Sequence, residues 1–164
     1  MKVCFCRVDY RLLHGQVTNA WTSKYKIKHI FVVDDELYKD DIARRVLMMA
    51  SPSKVNTSVY STDQMAGILQ QTSILSSDSK AAVLVKSLED AEKLFSKAGK
   101  ITNRLILGSV SCGIGRSKVC DRLFLSKEER KIVKDMSDKY AIQIEHQILP
   151  GDTPVDVIQC LTDK

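Results

Sequence analysis

The stretch IKHIFVVDD, residues 27–35, decides the fold of this chain. Its central residues, 30–33, are apolar at every position, whereas a strand with one face in water alternates apolar and polar residues. A short segment that is apolar on both faces is typical of a strand in a parallel sheet with helices on each side. We therefore place residues 27–35 inside a parallel sheet.

Short runs of this kind alternate with longer amphipathic runs along the rest of the chain. The other predicted strands are KVCFCRV (2–8), KVNTSVYS (54–61), KAAVLVKS (80–87), TNRLILGSV (102–110) and AIQIEHQIL (141–149). The predicted helices cover residues 15–25, 39–50, 62–71, 88–98 and 126–140, and a short helix follows Pro154. This alternation predicts an α/β fold: a doubly wound, mostly parallel open sheet with helices on both faces. The period-two pattern of the last strand predicts an antiparallel edge.

Local signals support several of these helices. Ser126 and Glu129 form a Ser-x-x-Glu capping box, which marks the start of the helix over residues 126–140. Ser87 is the predicted cap of the helix over 88–98, and Ser61 or Thr62 caps the one before it. The helix over 39–50 carries Ile42, Val46 and Met49 on one apolar stripe.

Length and composition limit the classes of function. With 164 residues and neither a repeat nor a linker, residues 1–164 are predicted to form a single domain. The net charge is only +5, without basic runs, and aromatic residues make up 6%, so we predict no binding of nucleic acid. The chain shows no signal peptide and no apolar run of about 18 residues. We therefore expect a cytoplasmic protein whose five cysteines are reduced thiols.

Ligands bind doubly wound sheets outside the carboxyl ends of the strands. The segment RVDYRLLHGQ, residues 7–16, leads from the first strand to this rim and brings two arginines, an aspartate and a histidine with it. The segment GSVSCGIGR, residues 108–116, is placed at the same rim by the fifth strand. His14 is therefore the first candidate for a functional residue.

A histidine in this position has a defined chemistry available. Imidazole is mostly neutral near pH 7, so one ring nitrogen carries a free lone pair that can attack phosphorus. Arg11 and Arg7 could bind the oxygens of the resulting phosphohistidine bidentately. A helix that begins near Gly15 would point its first N–H groups at the same phosphate, and Asp9 could orient the imidazole or an arginine.

The residues alone leave other interpretations open. A loop histidine such as His14 is commonly structural, and a metal site would need ligands that the spacing does not offer. His29 and His146 lie within predicted strands and are interpreted as structural. The segment GIGRSK, residues 113–118, lacks the Walker spacing and the third glycine of a dinucleotide motif, which favours a plain loop over a phosphate cradle. A nucleotide-binding protein that uses this segment stays an alternative.

The segment RVDYRLLHGQV, residues 7–17, resembles the active-site signature of a known family. This family comprises the enzyme IIB components of the mannose–fructose–sorbose class of the bacterial phosphoenolpyruvate-dependent sugar phosphotransferase system. The family pattern is close to R-[IV]-D-x-R-[LI]-[IL]-H-G-Q-V, with Tyr10 at the variable position. Residues 32–55, 84–108 and 125–152 are also similar to the family's layout, so the resemblance covers nearly the whole chain.

The resemblance implies a phosphoryl carrier. A phosphohistidine of enzyme IIA would donate its phosphoryl group to His14, by family precedent at Nδ1, and His14 would pass it to a sugar that the membrane subunits IIC and IID carry inward. The phosphorus arrives activated in a P–N bond, so neither a cofactor nor a metal is implied. The resemblance implies that Arg11 is the main phosphate clamp and that the N–H groups of Leu13 and His14 also bind the phosphate. Arg7 and Gly15 complete the implied phosphate-binding set, and Asp9 and Gln16 are implied to support it. Arg7 and Asp9 are alternatively implied to face a partner protein.

Several points stay open at this stage. The segment LGSVSCGIGR, residues 107–116, departs from the Asn-Val/Ile-Gly-Gly-like segment of many relatives, so its role is undefined. The identity of the sugar and the formation of a homo-oligomer are also undefined. The resemblance implies a cytoplasmic protein that associates peripherally with the membrane subunits. A regulatory or binding module with the same fold and no turnover is the alternative function.

Overall fold

A computed structural model describes residues 1–71, 79–110 and 113–162 of the chain. The strands are β1 (Lys2–Val8), β2 (His29–Val33), β3 (Asn56–Tyr60), β4 (Lys80–Val85), β5 (Arg104–Leu107), β6 (Ser117–Cys120), β7 (Leu123–Leu125), β8 (Gln143–His146) and β9 (Val155–Asp156). The helices are α1 (Gly15–Tyr25), α2 (Asp35–Lys39), α3 (Asp41–Met48), α4 (Thr62–Gln70), α5 (Leu88–Ala98), α6 (Lys127–Tyr140) and α7 (Val157–Thr162).

The predicted fold class is confirmed. Seven of the nine described strands form one sheet in the order β3-β2-β4-β1-β5-β8-β9, and β6 and β7 form a separate pair. All neighbours from β3 to β8 pair in parallel. β2 lies between β3 and β4, and residues 30–33 are buried, as a segment that is apolar on both faces requires. β1 is central, so the segment that follows it emerges in the middle of the carboxyl edge.

Helices cover both faces of the sheet. One face packs against α4, α5, α6 and α7 around a core that includes Met65, Phe95 and Met136. The other face packs against α1 and the apolar residues of α2 and α3, around Phe5 and Trp21. The rings of Phe5 and Trp21 meet edge to face with their centroids 5.2 Å apart, an arrangement that aromatic pairs prefer.

The helix predicted over residues 39–50 has the wrong bounds, because two aspartates start two helices in this region. The Asp34 carboxylate accepts hydrogen bonds from the N–H groups of Glu36 and Leu37 and caps α2. Asp40 adopts an extended backbone conformation and caps α3 in the same way. An aspartate side chain at the N-cap replaces missing backbone partners, so each carboxylate favours a helix start at its own position.

The apolar stripe predicted on this segment is present on α3, but it faces solvent. Ile42, Val46 and Met49 are 77%, 63% and 86% exposed. The opposite side of the helix, with Leu47 among its residues, packs on the sheet. Hydrophobic periodicity therefore identified a helix face correctly without identifying which face is buried.

The predicted caps of α4, α5 and α6 are confirmed. Ser61 and Ser126 form full capping boxes with Gln64 and Glu129, and Ser87 accepts a hydrogen bond from the N–H of Asp90. Each such cap is worth about 1 kcal/mol to its helix.

The antiparallel edge of the sheet is β9, which pairs antiparallel with β8. The period-two pattern of residues 141–149 predicted this edge one strand too early, because β8 itself is parallel to β5. The chain between β5 and α6 also contains the antiparallel hairpin β6–β7, which is absent from the predicted strands. None of the described helices has the length and apolar composition that a membrane span needs.

Candidate active site

The site is built on the segment between β1 and α1, which is tied to both neighbouring strands. The Asp9 N–H donates to the carbonyl of Val85 at 3.0 Å, and the Tyr10 N–H donates to the carbonyl of Ser109 at 3.0 Å. The chain then turns through Leu12, which adopts a left-handed φ of 54°. The side chains of Leu12 and Leu13 are buried in the core between α1 and the sheet, and this packing also fixes the turn.

Asp9 is the centre of the site. Its side chain is fully buried, and Oδ2 lies 3.0 Å from Nη2 of Arg7 and 3.7 Å from Nε2 of His14. Oδ1 lies 3.6 Å from Nε of Arg11 and accepts a hydrogen bond of 3.3 Å from the Arg11 N–H. The N–H of Ser109 donates to Oδ2 at 3.4 Å. One buried carboxylate thus connects the three basic side chains that the sequence had singled out.

Arg7 is brought into the site but lies beneath it. The side chain is 3% exposed, and its guanidinium donates to the carbonyls of Gln147 at 2.9 Å and Ile148 at 3.2 Å, as well as to Asp9. Its Cζ stacks 5.1 Å from the centroid of the Trp21 ring. Burial lowers the pKa of Arg7, and the Asp9 carboxylate opposes this shift. The interpretation of Arg7 as partner-facing is therefore wrong, because its donors are directed at protein groups.

Arg11 is the accessible cation of the site. Its side chain is 41% exposed, and Nη2 donates to the hydroxyl of Ser109 at 2.8 Å. The guanidinium is therefore anchored at its inner end by Asp9 and at its outer end by Ser109, and it stays open to solvent. Such an arginine can exchange its hydrogen bond with the Ser109 hydroxyl for hydrogen bonds with phosphoryl oxygens while its contact with Asp9 stays in place.

His14 lies at the rim with a side chain that is 19% exposed. Its Nδ1 is 3.1 Å from the carbonyl oxygen of Leu12, and because a carbonyl oxygen only accepts, this contact is a hydrogen bond when Nδ1 carries a proton. Nε2 is buried near Asp9 without a hydrogen-bond partner. In this ring orientation Nδ1 is directed at the Leu12 carbonyl and Nε2 is buried near Asp9, so a reaction of either nitrogen with an external group would need the ring to turn.

The start of α1 supplies a positive helix end next to His14. His14 is the N-cap residue, its side chain makes no capping hydrogen bond, and the first turn contains no acidic residue. Gly15, at φ 30°, opens the helix in a conformation that favours glycine. The His14 N–H, predicted to help bind phosphate, donates to Thr18 Oγ1 at 3.1 Å. The side chain of Gln16 is outside the described part of the structure.

The other candidate residues, His29, His146 and the segment 113–118, have structural contacts that explain their presence. The Nδ1 of His146 is 2.9 Å from the Leu107 carbonyl, the residue is buried, and burial lowers its pKa, all of which fit a structural histidine. His29 is stacked with Phe31.

In the segment 113–118, Arg116 forms an ion pair with Glu129, and Ser117 starts a strand, so no helix begins directly after this segment to bind a phosphate at its N-terminus. Among the described residues, no group of three metal-ligating side chains could hold a metal ion.

Sequence reasoning missed the contribution of Gly108 and Ser109. Both follow β5, and Ser109 contacts Arg11 and Asp9 directly. The sequence had placed both residues at the rim of the site, because they follow the fifth strand, but it did not show that this strand is adjacent to β1 or which side chains they contact. The departure of residues 107–116 from the family pattern had left this position without a role.

The chain is similar to known proteins over nearly its whole length. The family model described as PTS system sorbose subfamily IIB component matches residues 3–164. The fructose-specific EIIB component of Bacillus subtilis is 24% identical over 161 residues, covering 98% of this chain and 96% of the relative. The mannose-specific EIIAB component of Escherichia coli is 22% identical over 162 residues, covering 99% of this chain but 49% of the relative.

Solved structures show the same fold. The crystal structure of manxB from Thermoanaerobacter tengcongensis superimposes with a TM-score of 0.89 at 26% identity, covering 99% of this chain and 96% of that one. The IIBSor domain of the sorbose permease from Klebsiella pneumoniae gives a TM-score of 0.88 at 20% identity, with coverages of 100% and 98%.

Proposed function

Because the chain belongs to the sorbose subfamily of the IIB components of the sugar phosphotransferase system, we propose that His14 is its phosphoryl carrier. A phosphotransfer role in this system follows from the family itself. The finer proposal is that His14 accepts a phosphoryl group from a phosphohistidine of enzyme IIA and passes it to a sugar that the IIC and IID subunits carry inward. The supporting observation is the contact between His14 and the buried Asp9, with Arg11 on the same carboxylate.

The first transfer exchanges one P–N bond for another. A ring nitrogen of His14 attacks the phosphorus, the P–N bond of the donor histidine breaks, and the donor nitrogen keeps the electron pair. We propose that the ring first turns away from the Leu12 carbonyl and exchanges protons with solvent, so that Nδ1 loses its proton and Nε2 carries one. This neutral tautomer leaves the Nδ1 lone pair free to attack the phosphorus. In the second transfer a sugar hydroxyl attacks the phosphorus, and a P–O bond forms as the P–N bond of His14 breaks. The His14 nitrogen keeps the electron pair, and the hydroxyl proton passes to solvent.

Arg11 is proposed as the main clamp of the phosphoryl group. It is the exposed guanidinium of the site, and it already binds an uncharged oxygen, the hydroxyl of Ser109, in the unphosphorylated protein. A phosphoryl oxygen is a stronger acceptor than a hydroxyl. The positive end of α1 and the backbone N–H of Leu13 add to this charge compensation, with Gly15 allowing close approach of the backbone.

Asp9 and Arg7 are proposed to act through other groups rather than on phosphate. Asp9 faces Nε2 of His14, so it can hold the ring when Nε2 carries a proton. Arg7 holds Asp9 and the chain at residues 147–148. This assigns Arg7 a positioning role in place of the predicted phosphate contact, because its guanidinium is buried and its donors are directed at protein acceptors.

The partners are proposed from the family and the relatives. In the Escherichia coli relative the matched region is about half of an EIIAB component, which is consistent with a IIA protein as the donor for this shorter chain. We place the protein in the cytoplasm, in transient contact with the membrane subunits. The solvent-facing stripe of α3 and the half-exposed Tyr10 are apolar surface close to the site that a protein partner could cover.

The proposed function is tested by phosphorylation in solution. The protein is incubated with phosphoenolpyruvate, enzyme I, HPr and a purified IIA of this class, and its intact mass is measured. We expect one phosphoryl group that is lost in acid, and none on His14→Ala. Wild-type protein that stays unmodified with IIA proteins of this class would favour the alternative, a regulatory or binding module with the same fold.

A further inference from the structure

We propose that Gly108 is a positioning residue for phosphoryl acceptance at His14, an inference that rests on the proposed function. Gly108 directly follows β5 and is fixed against the end of β1 on both sides. Its N–H donates to the carbonyl of Val8 at 2.8 Å, and the next carbonyl, that of Ser109, accepts from the N–H of Tyr10 at 3.0 Å. The backbone at this position therefore cannot move away from the site without breaking these hydrogen bonds.

The space beside Gly108 is filled by the two residues that organise the site. A Cβ built on Gly108 would lie 2.3 Å from Nη2 and 2.4 Å from Cζ of Arg7, and 2.8 Å from Oδ2 of Asp9. All three distances are shorter than real Cβ contacts. The φ of Gly108 is outside the left-handed region, so the position needs the absence of a side chain and not the flexibility of glycine.

The Arg7 guanidinium cannot move aside at low cost. It is buried, it donates to the carbonyls of Gln147 and Ile148, and it stacks on Trp21. A methyl group on residue 108 therefore displaces the Arg7–Asp9 pair, and Asp9 transmits this shift to Arg11 and His14, which contact the same carboxylate.

The expected consequence is slow phosphoryl acceptance by a folded protein. Misplacement of a reacting group by about 1 Å costs on the order of 10²-fold in rate, and we expect a loss of this order for Gly108→Ala. Gly67→Ala is the matched control, because a Cβ on this glycine of α4 meets no atom within 4 Å. This control is expected to accept phosphate at the wild-type rate.

The assay uses two phosphoryl donors. One is a purified IIA of this class charged by phosphoenolpyruvate, enzyme I and HPr. The other is phosphoramidate, whose P–N bond breaks as a new P–N bond forms on His14 and ammonia leaves. A loss with both donors places the defect at His14 and not at the docking of IIA. Wild-type protein that accepts from neither donor would refute the proposed function, whereas Gly108→Ala at the wild-type rate would refute the role of Gly108 alone.

A second substitution separates positioning from a general effect on folding. Arg7→Gln removes both Cζ and Nη2, the atoms that the new methyl group would strike, because the glutamine side chain ends one atom short of the Cζ position. We therefore expect Gly108→Ala to cause little further loss of rate in the Arg7→Gln background, although each change alone slows acceptance. Independent, multiplying losses would overturn the proposal. Should Gly108→Ala fail to fold, the double variant is expected to regain the wild-type circular dichroism spectrum, and failure to regain it would equally overturn the proposal.

Discussion

Replacing Asp9 by asparagine removes the charge that organises the site while nearly preserving its shape. The carboxylate is fully buried, and its Oδ2 lies 3.0 Å from Nη2 of Arg7, whose side chain is 3% exposed. Removing one partner of a buried ion pair leaves the other charge uncompensated, at a cost of about 3–5 kcal/mol. The asparagine still offers one acceptor oxygen and Arg7 keeps its two carbonyl acceptors, so we expect a loss of about 3 kcal/mol, the lower end of this range.

This loss is measurable by thermal unfolding. For a domain of this size, 1 kcal/mol corresponds to about 2–4 °C in Tm, so Asp9→Asn should lower Tm by roughly 10 °C. The matched control is Asp63→Asn, whose side chain is 78% exposed and pairs with Lys97 at the surface. A surface pair contributes about 0–1 kcal/mol, so this control should unfold close to wild type.

The same variant tests how the site works. Asp9→Asn should also slow phosphoryl acceptance at temperatures where it is fully folded, because Arg11 and His14 lose the carboxylate that they share. If Asp9→Asn were as stable as Asp63→Asn and accepted phosphate at the wild-type rate, the reasoning that Asp9 organises the site would be refuted.

Three further predictions concern single side chains. Arg11→Lys should slow phosphoryl acceptance about tenfold, since a point charge replaces a planar fork, with Tm unchanged because the residue is half-exposed. Cys6 should not react with a thiol reagent at pH 8 until the protein unfolds, because burial raises the pKa of its thiol to about 12, and mass mapping of the label checks this. Burial lowers the pKa of His146 from 6.5, so below about pH 6.5 the unfolded state binds more protons than the folded state. The free energy of unfolding should therefore fall as the pH drops below about 6.5. Denaturant titrations at several pH values should show a smaller decrease for His146→Gln.

The layers of the fold could be predicted from the sequence because its strands and helices carry distinct periods. Residues 30–33 gave the parallel sheet, and the serine caps Ser61, Ser87 and Ser126 gave three helix starts. The break at Asp40 could not be predicted from periodicity, because a cap inside an amphipathic run interrupts the backbone without interrupting the pattern. The exposure of the apolar face of α3 could not be predicted either, since an apolar face in solvent and an apolar face in the core have the same sequence pattern.

The position of the candidate site could also be predicted, but its internal order could not. His14, Arg11 and Asp9 lie together as expected from one segment at the carboxyl edge. The division between an accessible and a buried arginine depends on the carbonyls of residues 147 and 148, which are distant in sequence from Arg7. Gly108 contributes by having no side chain where Arg7 and Asp9 fill the space, and the sequence does not show which distant side chains fill that space.

The most direct test of the account is the location of the phosphoryl group on the charged protein. Wild-type protein phosphorylated through IIA is examined by nitrogen-15 NMR of the histidine rings, beside His14→Ala treated in the same way. We expect one phosphohistidine, at Nδ1 of His14, with the rings of His29 and His146 unmodified and no phosphoryl group on the variant. A phosphoryl group on any other residue, or acceptance by His14→Ala at the wild-type level, would contradict it.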